Sequence, residues 1–360
     1  MYYKLVLIIL LVPVYSCDKD VAPMVPTVVE PLDKISIDQS GFVDASGEAF
    51  FPWGLNYTNT EHGLIEDDWL SVDTWAAIRK DFEDMSGLGA NVVRIHLQYH
   101  KFMIDAENAN QAALDRLVDF VAMAEEVGLY LNITGLASYR KDAAPEWYIN
   151  LDDNQRWSTQ KLFWQNVAGA INGSPAVFAY NLMNEPVVAV GCVIADACSW
   201  LPGNGFGGFH FVQNVSRDPA KPFLETMQSW MAEMTNAIRT QDVETPITVG
   251  LLALGAATRF ADDLDYLSPH IYPKSGELNK SVQYVQDNQS NVPLVIEEIS
   301  NLNCTAEELQ EFVDQIDGLY DGLMGHYHGK NFSELNRSNI NDALQYNFLK
   351  FFQRNSPKAE

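Results

Sequence analysis

The chain has 360 residues, 47% of them hydrophobic, enough for a sizeable core built as one large domain or two small ones. A formal charge of −25 and a pI near 4.5 leave no basic footprint to neutralise phosphates, which excludes nucleic acid as an expected partner. The acidic surface promotes solubility and names no substrate, although it disfavours a strongly acidic polymer unless the cleft is locally basic.

At the N-terminus, Lys4 precedes an apolar run from Leu5 to Val14. That run has the length of a signal-peptide core and is short for a membrane span. Val14-Tyr15-Ser16-Cys17 resembles a bacterial lipobox, in which a small residue precedes a cysteine that becomes lipidated. Residues 1–16 are therefore expected to be removed and Cys17 to carry lipid. Residues 17–34, with Pro23, Pro26 and Pro31, read as an extended tether. Asp18-Lys19-Asp20 resembles the acidic export signals of lipoproteins displayed on bacterial surfaces. The expected location is the cell envelope, as an outer-membrane lipoprotein touching the membrane only through its anchor. The remaining 35–360 form the expected catalytic domain, a monomer.

From residue 49 onward, short apolar runs alternate with helix-like segments. Candidate strands are 49–56, 91–97, 129–135, 176–184, 246–251, 266–271, 292–298 and 318–327. The third, fourth, fifth and seventh are almost wholly apolar, as strands buried on both faces of a parallel sheet should be. Between them, Asp73 precedes a helix running to about Ser86, ended by Gly87 and Gly89. Leu114, Leu117, Val118 and Val121 share a helical face, and so do Phe223, Met227, Trp230, Met231, Met234 and Ile238. Leu344, Phe348, Phe351 and Phe352 make a last helix, while 255–263 is short for a full one. Eight strands alternating with about eight helices fit an α/β fold of the (β/α)₈ TIM-barrel type. An open doubly wound sheet alternates in the same way, but no Gly-rich phosphate-binding fingerprint follows the first strand.

The longest irregular stretch, 187–222, follows the fourth strand and would overhang the active face of a barrel. It holds Cys192 and Cys198, for which an oxidising compartment predicts a small loop disulfide, with two free thiols as the alternative. Cys304 is then left without a partner. No cysteine–histidine spacing suggests zinc, and neither a metal nor another cofactor is expected. Aromatic residues near predicted loop ends could stack against a bound ligand: Trp53, Tyr57, Tyr139, Trp147, Trp200, Phe206 and Phe209. Trp200 and Phe206, among mobile glycines, suggest a substrate-binding or lid loop.

Two apolar strands end in carboxylates. The fourth closes on Asn184-Glu185-Pro186 and the seventh on Val295-Ile296-Glu297-Glu298. In a barrel these strand ends face one another across the same mouth. Glycosidic cleavage needs a proton for the leaving oxygen and negative charge opposite the anomeric carbon, so a carboxyl pair there points to a glycosidase. Glu297 could instead form a salt bridge behind the barrel, since adjacent strand residues face opposite ways. His96 and His100 read as packing or rim residues. His326-Tyr327-His328 lacks a third metal ligand.

Five motifs carry a more specific resemblance: Trp53-Gly54-Leu55-Asn56-Tyr57, Asn91-Val92-Val93-Arg94-Ile95, Asn184-Glu185-Pro186, His270-Ile271-Tyr272 and Val295-Ile296-Glu297-Glu298. Over nearly all of 49–330 the chain resembles glycoside hydrolase family 5, in the wider clan of retaining (β/α)₈ glycosidases. The resemblance implies that Glu185 is the general acid/base and Glu298 the nucleophile. It further implies that Arg94 and Tyr272 keep Glu298 charged, that Asn184 holds the sugar 2-hydroxyl and that His270 lines the site. Asn56, Trp200 and Tyr327 complete the expected sugar-binding set. The implied partner is a β-linked glucan or mannan, or an oligosaccharide cut from one. A transglycosylase on the same scaffold and an inactive surface glycan-binding protein are the alternatives. The chain departs from the family at two places. Asn132-Ile133-Thr134-Gly135 lacks the usual histidine near the third strand's end, and Tyr327 or His328 stands where the family carries a tryptophan on the eighth.

Overall fold

In a computed structural model, the described residues are 31–357 except 40, 59–71, 140–143, 189–213, 217, 219 and 254. Cys17, Cys192, Cys198, Trp200, Phe206 and Phe209 lie outside them, as do residues 1–30.

Eight parallel strands form one sheet: β1 Trp53–Tyr57, β2 Val92–Gln98, β3 Tyr130–Ala137, β4 Val177–Asn184, β5 Ile247–Leu252, β6 Ser268–His270, β7 Val295–Ile296 and β8 Gly322–Tyr327. The ladder runs β6-β5-β4-β3-β2-β1-β8-β7. Two isolated parallel bridges between its ends, Leu267 to Leu294 and His270 to Glu298, close it into a barrel. All eight strands lie where apolar runs predict them. β6 and β7 are shorter than expected, because their pairing across the seam is reduced to those bridges.

Helices cover the outside: α1 Val72–Gly87, α2 Gln111–Val127, α3 Asp153–Ile171, α4 Phe223–Arg239, α5 Leu278–Asp287, α6 Ala306–Gln315 and α7 Ile340–Arg354. Their ends follow local chemistry. Asp152 and Gln155 form a capping box at the start of α3, and Thr305 and Glu308 do the same for α6, each satisfying two otherwise unpaired backbone N–H groups. Gly128, at φ +75°, ends α2 in the left-handed conformation that suits a residue without a Cβ. After β5 there is only a 3₁₀ turn, Ala257–Phe260, as the short segment predicts.

Side chains on the strands alternate between two environments, except that a register shift between Val177 and Ala179 on β4 puts Phe178 inward while Tyr180 faces outward. Outward residues such as Leu55, Val93, Leu131, Tyr180, Val249 and Leu323 join the layer under the helices. Inward residues Val92, Tyr130, Phe178, Tyr266, Val295 and Met324 fill the lower barrel. A hairpin formed by Ser36–Asp38 and Gly41–Val43 adds Phe42 to that lower core, with its ring 5.1 Å from Phe178 and 5.3 Å from Tyr266. The barrel is thus packed solid at its N-terminal end, and its polar inward residues stand at the C-terminal ends of the strands.

This phase corrects three sequence expectations. Trp53 and Tyr57 face outward: the Trp53 indole donates to Phe352 O and the Tyr57 hydroxyl to Asp81. Tyr327 is fully buried in the outer layer and donates to Asp84, so it offers no face to a sugar. It is the flanking His326, in phase with inward Met324, that reaches the mouth.

Candidate active site

Glu185 ends β4 in a strained conformation, with φ +50° in the region that disfavours a side chain. Its N–H donates to Gly250 O at 2.9 Å, which ties it to the neighbouring strand. The strain turns the carboxyl over the barrel mouth, where His270 Nδ1 lies 2.8 Å from Oε1. The same nitrogen lies 3.4 Å from Glu298 Oε2, so one imidazole faces both carboxylates. Oxygens of Glu185 and Glu298 come within 4.8 Å of one another.

Glu298 is held from several strands. Arg94 on β2 donates from Nη1 to Oε1 at 2.7 Å, and Tyr272, just past β6, donates to Oε2 at 2.5 Å. His326 on β8 lies 3.9 Å from Oε2. Burial pushes this carboxyl's pKa up. His270, Arg94, His326 and the Tyr272 hydroxyl outweigh burial and hold the group well below the usual carboxylate range. The Tyr272 hydroxyl is itself pushed well up, by burial first and then by the Glu298 charge, so it remains a donor.

The tautomer of His326 follows. Its Nε2 lies 3.1 Å from the Tyr272 oxygen, whose proton is committed to Glu298. Nε2 must therefore donate, which runs a relay from His326 through Tyr272 to the carboxylate. Burial lowers the His326 pKa to about 4, only partly offset by Glu298, so the ring is neutral near pH 7. His328 stacks on it with ring centroids 6.0 Å apart. The sequence weighs His326 only as a metal ligand; counting alternation from inward Met324 on β8 places it at the mouth.

Beneath the pair lies a fully buried polar layer. Arg94 Nη1 also donates to Asn56 Oδ1 at 2.7 Å, and Nη2 to Asn184 Oδ1 at 2.9 Å. The Asn56 amide donates in turn to Glu297 O and Gly325 O at 2.7 and 2.8 Å. Asn56 is therefore a strut under Arg94 and does not reach the cleft, contrary to its expected sugar contact. Arg94, with no exposed surface, also serves the carboxylate and not the sugar. Glu297 points inward as well, not behind the barrel: it is in phase with inward Val295, and it is Glu298, past the end of β7 at Ile296, that departs from alternation to face the mouth. His96 lies on the inner wall, where its Nδ1 meets the Tyr139 hydroxyl, which puts Tyr139 beside the site and not on a loop edge.

Backbone proximity is part of this geometry. A Cβ on Gly250 would lie 2.7 Å from His270 Nε2 and 3.0 Å from Arg94 Nη2. Gly250→Ala should therefore displace both residues. We expect about 1–3 kcal/mol less stability from overpacking and, because small misplacements of catalytic groups are costly, up to about 10²-fold lower kcat/KM. Thermal melts and initial rates check this. Arg94→Met would strand two buried carboxylates; unfolding in urea should show a loss of about 3–5 kcal/mol.

Among the described residues, the group with metal-ligand chemistry is Glu185, His270 and Glu298. Both oxygens of Glu298 already accept from Arg94 and Tyr272, and the guanidinium opposes a cation there. Of the insertion after β4, residues 189–213 lie outside the described residues. The ends of the long insertion, Val187–Val188 and Asn214–Ser216, pair as a short parallel ladder. Trp157 donates to Val215 O at 2.8 Å and Lys221 to Asp153 at 3.1 Å, which fixes its base on α3. Trp200 falls within the part not described.

Comparison with known proteins agrees with this architecture. The family described as Cellulase (glycosyl hydrolase family 5) matches residues 43–323. No curated protein matches the chain. Among solved structures, the chain is similar to an exo-β-1,4-mannosidase of Opitutaceae bacterium strain TAV5, with 19% identity and a TM-score of 0.66 over 90% of this chain. It spans only 63% of that mannosidase's length. A β-1,4-mannanase of the sea hare Aplysia kurodai is similar at 14% identity and a TM-score of 0.62, covering 91% of this chain and 99% of that one. A β-glucanase of Saccharophagus degradans is similar at 13% identity and a TM-score of 0.58, covering 91% and 93%. At such identities these structures establish the (β/α)₈ fold, and the family match, which extends from below β1 into β8, establishes more: the chain belongs to glycosyl hydrolase family 5.

Proposed function

We propose that this family 5 glycosidase hydrolyses a β-linked glucan or mannan, or an oligosaccharide derived from one, by double displacement with retention. The observation that carries the mechanism is the carboxylate spacing. The nearest oxygens of the two carboxyls lie within 4.8 Å, which supports the about 5–5.5 Å arrangement of retaining enzymes over the about 6.5–9.5 Å one of inverting enzymes. The mannosidase, mannanase and glucanase among similar structures support the substrate class.

The asymmetry of the pair supports one division of roles. Glu298, kept anionic by Arg94 and the Tyr272–His326 relay, attacks the anomeric carbon. Glu185, the more open of the two at 15% against 10% side-chain exposure, gives its proton to the leaving oxygen as the C–O bond breaks. The Glu298 ester is then hydrolysed by a water that Glu185 deprotonates, which restores both groups. Asn184 Oδ1 is committed to Arg94, so its amide NH₂ is the group that meets the sugar 2-hydroxyl. No step calls on a cofactor.

Turnover on a panel of β-glucans, β-mannans and their oligosaccharides, with product sizing, tests the substrate class. Cleavage of β-manno- or β-glucosides is expected; binding without turnover across the whole panel contradicts it. Export with a lipid on Cys17 is part of the same proposal, supported by the Val14–Cys17 motif. Metabolic labelling with a fatty acid should mark the wild type and not Cys17→Ser.

A further inference from the structure

Glu297 is a charged side chain with no solvent exposure, lodged inside the barrel directly below the reacting pair. The mechanism above does not use it. Its Oε1 accepts from Asn132 Nδ2 at 2.6 Å and from the Tyr266 hydroxyl at 3.0 Å. Its Oε2 accepts from Asn181 Nδ2 at 2.6 Å, and Arg94 Nε lies 3.5 Å away. The Asn181 orientation is fixed independently, because its Oδ1 accepts from Gly250 N–H at 3.0 Å. Every polar group facing Glu297 is a donor, so the cage is built for a carboxylate anion.

The consequence lies in the charge count. One guanidinium serves two buried carboxylates from opposite edges: Nη1 faces Glu298 and Nε faces Glu297. We propose that Glu297 is a positioning residue that sets the nucleophilicity of Glu298 by sharing Arg94. This inference rests on the double-displacement reading. With Arg94 partly neutralised from below, Glu298 is held firmly enough to stay ionised, but not so firmly that it resists giving up its charge. Ester formation removes that charge, and ester cleavage returns it. A stronger hold by Arg94 therefore slows the first step and speeds the second, and a weaker hold does the reverse. Opposite effects on the two half-reactions distinguish charge sharing from mere scaffolding, since a loosened Arg94 would impair both.

The other titratable groups around Glu298 are His270 at the end of β6, Tyr272 just past it, His326 on β8, Glu185 just past β4 and, further back, His96 and Tyr139. None of them contacts Glu297 through a hydrogen bond, so a change at 297 reaches the nucleophile by way of Arg94. Within the cage, Tyr266 is the titratable donor; burial and then the Glu297 charge push its hydroxyl well up, so it stays protonated.

The test uses the 2,4-dinitrophenyl 2-deoxy-2-fluoro-β-glucoside and β-mannoside as trapping probes. Glu298 forms a bond to the anomeric carbon, and dinitrophenolate leaves with the electron pair of the broken C–O bond. The trapping rate reports ester formation, and recovery of activity after removing the probe reports ester cleavage. Glu297→Gln keeps the shape and removes the charge. Trapping should slow about tenfold and recovery should quicken by a similar factor, the scale of about one pKa unit of differential interaction. Tyr266→Phe keeps the Glu297 charge but removes a donor, which throws more of it onto Arg94; the opposite pair of changes is expected. This second variant carries the test if Glu297→Gln fails to fold. Unchanged rates in both variants, or both steps slowing together, overturn the inference while leaving double displacement intact. A wild type that neither probe traps overturns double displacement and the inference with it.

Discussion

Glu298→Ala is expected to lower kcat/KM by about 10⁴-fold or more, the scale on which losing a nucleophile acts, with the fold retained. Of the two adjacent carboxylates, Glu298 is the one that reaches the mouth, because Glu297 is enclosed by Asn132, Asn181 and Tyr266 beneath it. Stability should fall less than for an ordinary broken buried ion pair. Arg94 would lose one carboxylate but keep Glu297 at 3.5 Å, together with its bonds to Asn56 and Asn184. A circular-dichroism melt alongside the rate measurement separates the two effects. Substantial residual turnover with a native melt would move the nucleophile elsewhere.

Glu185→Ala should behave differently, in a way that depends on the leaving group. For a natural glycan, which needs its leaving oxygen protonated, losses of about 10²–10⁴-fold are expected from the absent acid. For a dinitrophenyl glycoside, ester formation needs no proton, so the first step should survive and the missing base should stall the second. Azide, an anion that needs no base, should then restore turnover and yield the β-glycosyl azide. Glu298→Ala treated with azide should instead yield the α-azide. Equal losses for good and poor leaving groups would remove Glu185 from the acid/base role.

The barrel was legible because its signals are periodic. Eight apolar runs separated by helical faces place eight strands, and Glu185 and Glu298 follow from being at strand ends. What eluded the sequence was phase. On β8, a difference of one residue decides whether His326 or Tyr327 reaches the mouth, and only an anchor such as inward Met324 settles it. Asn56 shows a different limit: an asparagine at a strand end reads as a sugar ligand, yet here it is consumed by Arg94, Glu297 O and Gly325 O. Glu297 was misplaced because its phase was counted back from Glu298, which lies past β7 where the ladder is reduced to the single bridge to His270; counted from inward Val295 it falls inside. The departures from the family have physical counterparts. In place of a tryptophan, β8 offers a neutral histidine tied to Tyr272. At β3, where a histidine is absent, Leu136 takes up φ +54° and the His96–Tyr139 couple supplies the nearby polar groups. Both departures leave Glu185 and Glu298 in place, while His326 joins the groups that hold Glu298 through Tyr272.

The central claim is double displacement on Glu298 with Glu185 as acid and base, and the anomer formed first tests it most directly. Proton NMR of wild-type hydrolysis of an aryl β-glycoside, recorded before mutarotation, should show the β-hemiacetal appearing first and the α form growing in only later. If the α anomer appears first, water attacks directly, the two carboxylates stand further apart in the working enzyme, and the mechanism drawn from their geometry is wrong.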